Sequence, residues 1–140
     1  MSTPKYLVAI DQGTTGTTVS IINEKARSVV RVNEEFEQIF PKPGWVEHRG
    51  QDIWNSVQSC LKKALKQASI QPKDLVALGI TNQRETVILW DRVTGEPVYN
   101  AIVWQCRRTT DYCEKLRKAK ALKLIRSRTG LVIDPYFSAS

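Results

Sequence analysis

The stretch "KYLVAID", residues 5–11, is apolar almost throughout, which predicts a strand buried on both faces. "TTVSII", residues 17–22, reads as its hairpin partner. The link between them, "QGTTG", is longer and richer in glycine and threonine than a two-residue hairpin turn needs. After the polar "NEKAR", the segment "SVVRVNEEFEQI" alternates Val30 and Val32 with Arg31 and Asn33, a third strand that frays toward its acidic end. Together these strands predict an antiparallel meander.

"FPKPGWVEHRG" follows, and two prolines with a glycine predict a loop, in which His48 is expected at the surface. From Gln51 to Ala68 the positions Ile53, Trp54, Val57, Cys60, Leu61, Ala64, Leu65 and Ala68 recur at helical spacing, with lysines on the other face. Asp52 in the first turn and Lys62, Lys63 and Lys66 near the end suit the helix dipole. "LVALGIT" predicts a buried strand and "TVILWD" another, joined through "NQRE"; "RVTGEPV" turns the chain into a further strand at "YNAIVW". Helices are expected over 109–121 and 122–128, with Gly130 as the stop. Trp54 and Trp90 are expected in the core. The order β-β-β-α-β-β-β-α implies an α/β fold, a mixed sheet with an antiparallel opening and helices packed on it.

The length of 140 residues suits one ordinary domain and is short for a two-lobed enzyme. No stretch approaches the ~20 apolar residues of a membrane span, and the N-terminus lacks a signal-peptide cleavage region, so a cytoplasmic protein is expected. Three cysteines, Cys60, Cys106 and Cys113, include no C-x-x-C pair and have one histidine for company, which argues for buried free thiols over a zinc site or disulfides. The net charge of +7 owes much to "EKLRKAKALKLIRSR", with seven bases and one acid. A solvated helix face accounts for it, and no aromatics are interleaved as stacking on single strands would want, so no nucleic-acid partner is expected.

The glycine- and threonine-rich turn carries the first candidate chemistry. Gly13 and Gly16 allow close backbone approach and positive φ, and Thr14, Thr15 and Thr17 add hydroxyls beside backbone N–H groups, a cradle suited to an anion. It is not a Walker-type loop, since no lysine follows and the next element is a strand. Asp11, at the strand end, can bind a hydrated divalent cation beside phosphates. On residue types alone, a polar hairpin whose threonines merely satisfy the turn remains open.

The strand, "DQGTT", strand arrangement resembles the first phosphate loop of the actin and hexokinase superfamily, a ribonuclease H-like fold. "FPKPGWVEH" at 40–48, "GITNQRET" at 79–86, "YNAIVWQCRR" at 99–108 and "TGLVIDPYFS" at 129–138 resemble the glycerol kinase branch of the FGGY carbohydrate kinases. The resemblance runs from Tyr6 to Ser138. It implies ATP and glycerol as substrates with Mg²⁺, and glycerol 3-phosphate as product. It carries over Arg84, Glu85, Trp104 and Tyr136 as glycerol contacts: Arg84 as a fork of donors, Glu85 as paired acceptors, the Trp104 ring against the carbon chain and the Tyr136 phenol on a hydroxyl. Arg84 and Glu85 can converge only if the chain bends at "NQRE", because strand neighbours face opposite ways. Thr14, Thr15 and Gly16 carry over as phosphate contacts and Asp11 as the metal ligand.

One departure stands out. Many members read Ser-Ser-Arg after the paired threonines, whereas this chain reads Gly16-Thr17-Thr18 and lacks that cation. The resemblance also implies that 1–140 is the N-terminal portion of a first lobe, that an aspartate base lies past residue 140, that the chain alone is inactive and poorly soluble, and that the full-length enzyme is a homo-oligomer. Two rivals within reach are a kinase of another small polyol or sugar and a non-catalytic binding fragment. A ribonuclease H-type nuclease would need several convergent carboxylates, and "LVALGITNQ" contains none.

Overall fold

The computed structural model describes residues 5–140. These divide into two compact units, the first taking residues up to 37 and 50–83, the second 38–49 and 84–140.

In the first unit, β1 (Tyr6–Gln12), β2 (Gly16–Asn23) and β3 (Ser28–Glu35) form the expected antiparallel meander, and β5 (Leu75–Asn82) joins β1 in parallel. The sheet order is β3-β2-β1-β5, a mixed ribonuclease H-like sheet of the fold class the sequence predicts. The helix α1 (Gly50–Ala68) covers β2 and β3, with Ser56, Cys60 and Ala64 buried one turn apart. Small side chains at those positions let the helix lie close on the sheet. Val8, Ile10, Val19, Ile21 and Val32 meet it from the strands, and these residues with Cys60, Ala64 and Ile70 make the core. The opposite face of the sheet, with Ala9, Asp11, Thr18, Ser20 and Arg31, is left open.

Two expectations for this unit are corrected. "LVALGIT" is a strand but not a buried one: β5 lies at the sheet edge, and Val76, Leu78 and Ile80 are 55%, 51% and 67% exposed. Apolar runs mark both central strands and edges whose partners are not in the sheet, so composition does not separate them. Trp54 is 56% exposed, because the buried face of α1 centres on Ser56, Cys60 and Ala64 and leaves position 54 at its rim.

In the second unit, β4 (Glu47–His48) pairs with β6 (Ala101–Ile102) in a short antiparallel ribbon. The strand expected over 86–91 is reduced to isolated bridges, Val87 with Ile102 and Trp90 with Pro97, and the one expected over 99–104 to the two residues of β6. Between them Asp91 accepts from the N–H groups of Val93 and Thr94, both at 2.8 Å, and Gly95 takes φ 75°, so the turn at "RVTGEPV" holds while its flanks do not extend. Trp90, on this exposed hairpin, is 61% exposed and not a core residue. The helices α2 (Thr110–Lys118) and α3 (Leu122–Thr129) are separated by Lys120 at φ 57°, and Gly130 ends α3 at φ 75° as predicted. Cys60, Cys106 and Cys113 are all buried free thiols.

Candidate functional site

The second unit resumes at Arg84, just after β5 ends at Asn82, and the chain turns at once, with Glu85 in the left-handed region at φ 58°. That conformation is uncommon outside glycine and redirects the side chain from the strand alternation. The Glu85 carboxylate accepts the backbone N–H of Ser138 at 2.9 Å and its hydroxyl at 2.8 Å. These two bonds hold its pKa below the ordinary value.

Glu85 and Ser138 border a cavity of about 130 Å³ together with Tyr136, Phe137, Cys106 and Arg108. The Tyr136 ring meets Trp104 edge-on at 5.6 Å and Phe137 at 5.0 Å, so Tyr136 and Phe137 give the cavity an aromatic side and Trp104 packs on Tyr136. Asp134 accepts the Tyr136 N–H at 2.9 Å and pairs with Arg107 at 2.9 Å, fixing the "DPY" turn that aims the phenol. The Tyr136 N–H foremost, and Arg107 with it, holds the Asp134 carboxyl low against the opposing effect of burial.

The same unit contains a buried polar cluster that sequence reading missed. Glu47 is fully buried and accepts from Tyr99 at 3.0 Å, from Asn100 at 2.9 Å and from the Arg108 guanidinium. Burial pushes its carboxyl up, but the bonds from Asn100, Arg108 and Tyr99 outweigh it and the net shift is downward. Arg108 also stacks over the Trp45 ring at 3.9 Å and donates to the Cys106 sulfur at 3.0 Å. Burial raises the Cys106 pKa, and the Arg108 hydrogen bond leads the contacts that bring it below the ordinary value. His48, expected at the surface, is fully buried with Nε2 2.6 Å from Gln38 Oε1, since β4 runs through the interior of this unit. Burial lowers its pKa. The cluster ties β4 to the two segments flanking β6, and so braces the chain that presents Trp104 and the Cys106–Arg108 wall. "WVEH" and "CRR" carried the signal, but nothing local tells a buried ion pair from a surface one.

Of the four residues expected at a polyol site, the fold brings Glu85 and Tyr136 to one cavity, and Trp104 packs on the Tyr136 ring without lining that cavity. Arg84 is exposed and outside the cavity lining, so the turn that the pair required is present but does not send both side chains the same way.

In the first unit the anion-loop candidates separate by role. Thr14 and Thr15 form the bend between β1 and β2, closed by the Gly13 N–H on the Gly16 carbonyl at 2.9 Å. Gly13 and Gly16 are not in positive φ; what Gly16 requires is space, because a Cβ there would sit 2.5 Å from the Glu34 carbonyl oxygen. The Thr17 hydroxyl does not face the loop: it is buried against the Ser56 hydroxyl at 2.7 Å and helps seat α1. Asp11 lies exposed at the end of β1 and lines a broad groove of about 370 Å³ with Thr18, Ser20, Arg31 and Thr81. Arg31 stands opposite Ser20 on β3, so a cation borders the groove even though position 18 carries a threonine. Among the described residues no three His, Cys, Asp or Glu side chains gather as a metal cluster. A lone exposed carboxylate still fits Mg²⁺, which keeps several waters and takes its remaining oxygens from substrate phosphates.

Comparison with known proteins accounts for the whole chain. The profile of the FGGY family of carbohydrate kinases, N-terminal domain, matches residues 6–140. Glycerol kinase 2 of Thermotoga maritima is 54% identical over 136 residues, covering 97% of this chain and 27% of the relative. Glycerol kinase of Bdellovibrio bacteriovorus is 56% identical over 135 residues, covering 96% and 27%. The crystal structure of Plasmodium falciparum glycerol kinase with ADP superposes with a TM-score of 0.87 at 35% identity, over 97% of this chain and 27% of that one. The chain thus spans about a quarter of the length of the relatives it matches, and it belongs to the FGGY family of carbohydrate kinases, whose N-terminal domain it matches nearly end to end.

Proposed function

We propose that the protein carrying this chain transfers the γ-phosphoryl group of ATP to glycerol, giving ADP and glycerol 3-phosphate. The observation that carries the reading is the meeting of Glu85 and Tyr136 at a cavity of about 130 Å³, with the Trp104 ring packed edge-on against Tyr136. Pockets for drug-sized ligands run to ~300–1,000 Å³, so this one favours a small substrate. Relatives named glycerol kinase at 54% and 56% identity support the same reading.

In this reading Glu85 accepts hydrogen bonds from substrate hydroxyls, with one oxygen already held by Ser138. Tyr136 donates or accepts at a third hydroxyl, and Trp104 excludes water along the carbon chain. Arg84 swings inward from its exposed position to donate to two neighbouring oxygens. Thr14, Thr15 and the backbone at Gly16 hold the nucleotide phosphates. Asp11 would keep a hydrated Mg²⁺ there, an ion that neutralises charge on the transferring group. The general base is an aspartate outside these 140 residues, this chain being the N-terminal portion of a first lobe, and the chain alone is inactive.

Steady-state kinetics on the whole protein tests this. Glycerol should be preferred over four- and five-carbon polyols by roughly a hundredfold in kcat/KM, since a longer chain does not fit a site with fixed hydroxyl partners. ADP release with a pentulose but not with glycerol would assign the substrate to another sugar. Calorimetric binding of glycerol without turnover by the whole protein would leave a binding module. Turnover by the 140-residue chain would refute its inactivity.

A further inference from the structure

Residues 115–128 contain seven lysines and arginines and no acid, and all seven are exposed. Arg117 donates to Glu114 and to the Ile133 carbonyl, which leaves six for a partner. Charge alone would make this a solvated face. The apolar residues among the charges argue otherwise.

Leu124 is 62% exposed. On α3, Ile125 and Thr129 line an apolar groove with Leu116, Leu131 and Val132, and helical geometry turns Leu124 away from that groove, beside Lys123 and one turn before Arg128. A leucine in water, flanked by Lys123 and Arg128, suits a surface that is anionic outside and apolar a few ångströms in. Leucine enters the acyl boundary there while lysine and arginine stems extend back to the phosphates. A nucleic acid would use the charge but leave Leu124 in water, and the segment has no aromatic residue on which a base could stack.

We propose that the segment 115–128 is a docking surface for an anionic lipid bilayer, on which α3 lies with Leu124 inserted. The proposal concerns where the protein sits and is independent of the phosphoryl-transfer reading.

Cosedimentation of the full chain with vesicles tests it, using phosphatidylcholine and phosphatidylglycerol in about equal parts against phosphatidylcholine alone. The chain should partition onto the anionic vesicles and at least tenfold less onto the neutral ones. Raising the salt from ~0.05 to ~0.5 M should weaken binding at least tenfold. The double variant Lys123→Glu with Arg128→Glu should lose at least about twentyfold, near fivefold for each cation removed. Leu124→Gln, which leaves the charge unchanged, should lose about fivefold. All three side chains are exposed, and far-ultraviolet circular dichroism checks that the variants keep their helices. Absence of partitioning to anionic vesicles overturns the proposal. So does full retention of binding by Leu124→Gln, or displacement from the vesicles by an equal charge of duplex DNA, either of which would mark a plain polyanion surface.

Discussion

Ser138 gives both of its donors to one carboxylate oxygen of Glu85, the backbone N–H at 2.9 Å and the hydroxyl at 2.8 Å. The two residues are 53 positions apart, so this contact anchors the turn after β5 to the "PYFS" segment. It leaves the second Glu85 oxygen for the cavity.

Ser138→Ala removes one of the two bonds and keeps the other. The Glu85 pKa should rise back toward its ordinary 4.5, because loss of a donor to the ionised form disfavours that form. In the whole protein the KM for glycerol should rise about three- to tenfold with the KM for ATP unchanged, and Ser138→Thr should recover most of the loss. Parallel movement of both constants would assign Ser138 a role in folding alone.

The two exposed arginines give a crossed test of the proposed roles of the two units. Arg84→Ala should raise the glycerol KM about tenfold or more and leave ATP alone, as expected for loss of a charge-assisted hydrogen bond to a substrate hydroxyl. Arg31→Ala should do the reverse, since Arg31 borders the groove of Asp11 and Thr18. Thr18→Arg in the Arg31→Ala background should restore nucleotide affinity. Equal effects of both alanine variants on both substrates would undo the assignment.

Glu47→Gln tests the brace behind the cavity. The change keeps the shape and leaves the Arg108 guanidinium, 14% exposed, without its counter-charge. Removing one partner of such a buried pair costs about 3 kcal/mol. Urea unfolding followed by tryptophan fluorescence should report it, with Trp45 under Arg108 as a local probe. A loss below about 1 kcal/mol would mean that the pair is solvated.

His48 should make the fold sensitive to mild acid. Burial lowers its pKa from the ordinary 6.5, so in the window below 6.5 the unfolded chain takes up a proton that the folded chain does not. The unfolded state then binds more protons, and stability falls as the pH drops through that window toward the folded pKa; above 6.5 the contribution is fully present. Glu47 adds a second loss at lower pH, below 4.5, by the corresponding argument for a carboxyl held low. Thermal midpoints taken from about pH 7 to pH 5 should decline in the parent chain and stay flatter in His48→Gln. Identical slopes would exclude His48 as the titrating group.

What the sequence determined by itself is local. Alternation at Val30 and Val32, helical spacing from Ile53 to Ala68 and the glycine after α3 each describe the conformation of a few neighbouring residues, and those elements stand as read. The motifs were equally legible, because "DQGTT", "NQRET" and "DPYFS" are short runs whose residue types are read directly, whatever surrounds them in the fold. The tertiary structure decided everything that depends on a distant partner. It turned an apolar run into the exposed edge strand β5, drew Glu47 and His48 inside, committed the Thr17 hydroxyl to Ser56, and set Glu85 against Ser138 while leaving Arg84 outside. The reason is that periodicity reports which side chains share a face, whereas burial and pairing depend on what the rest of the chain brings to that face.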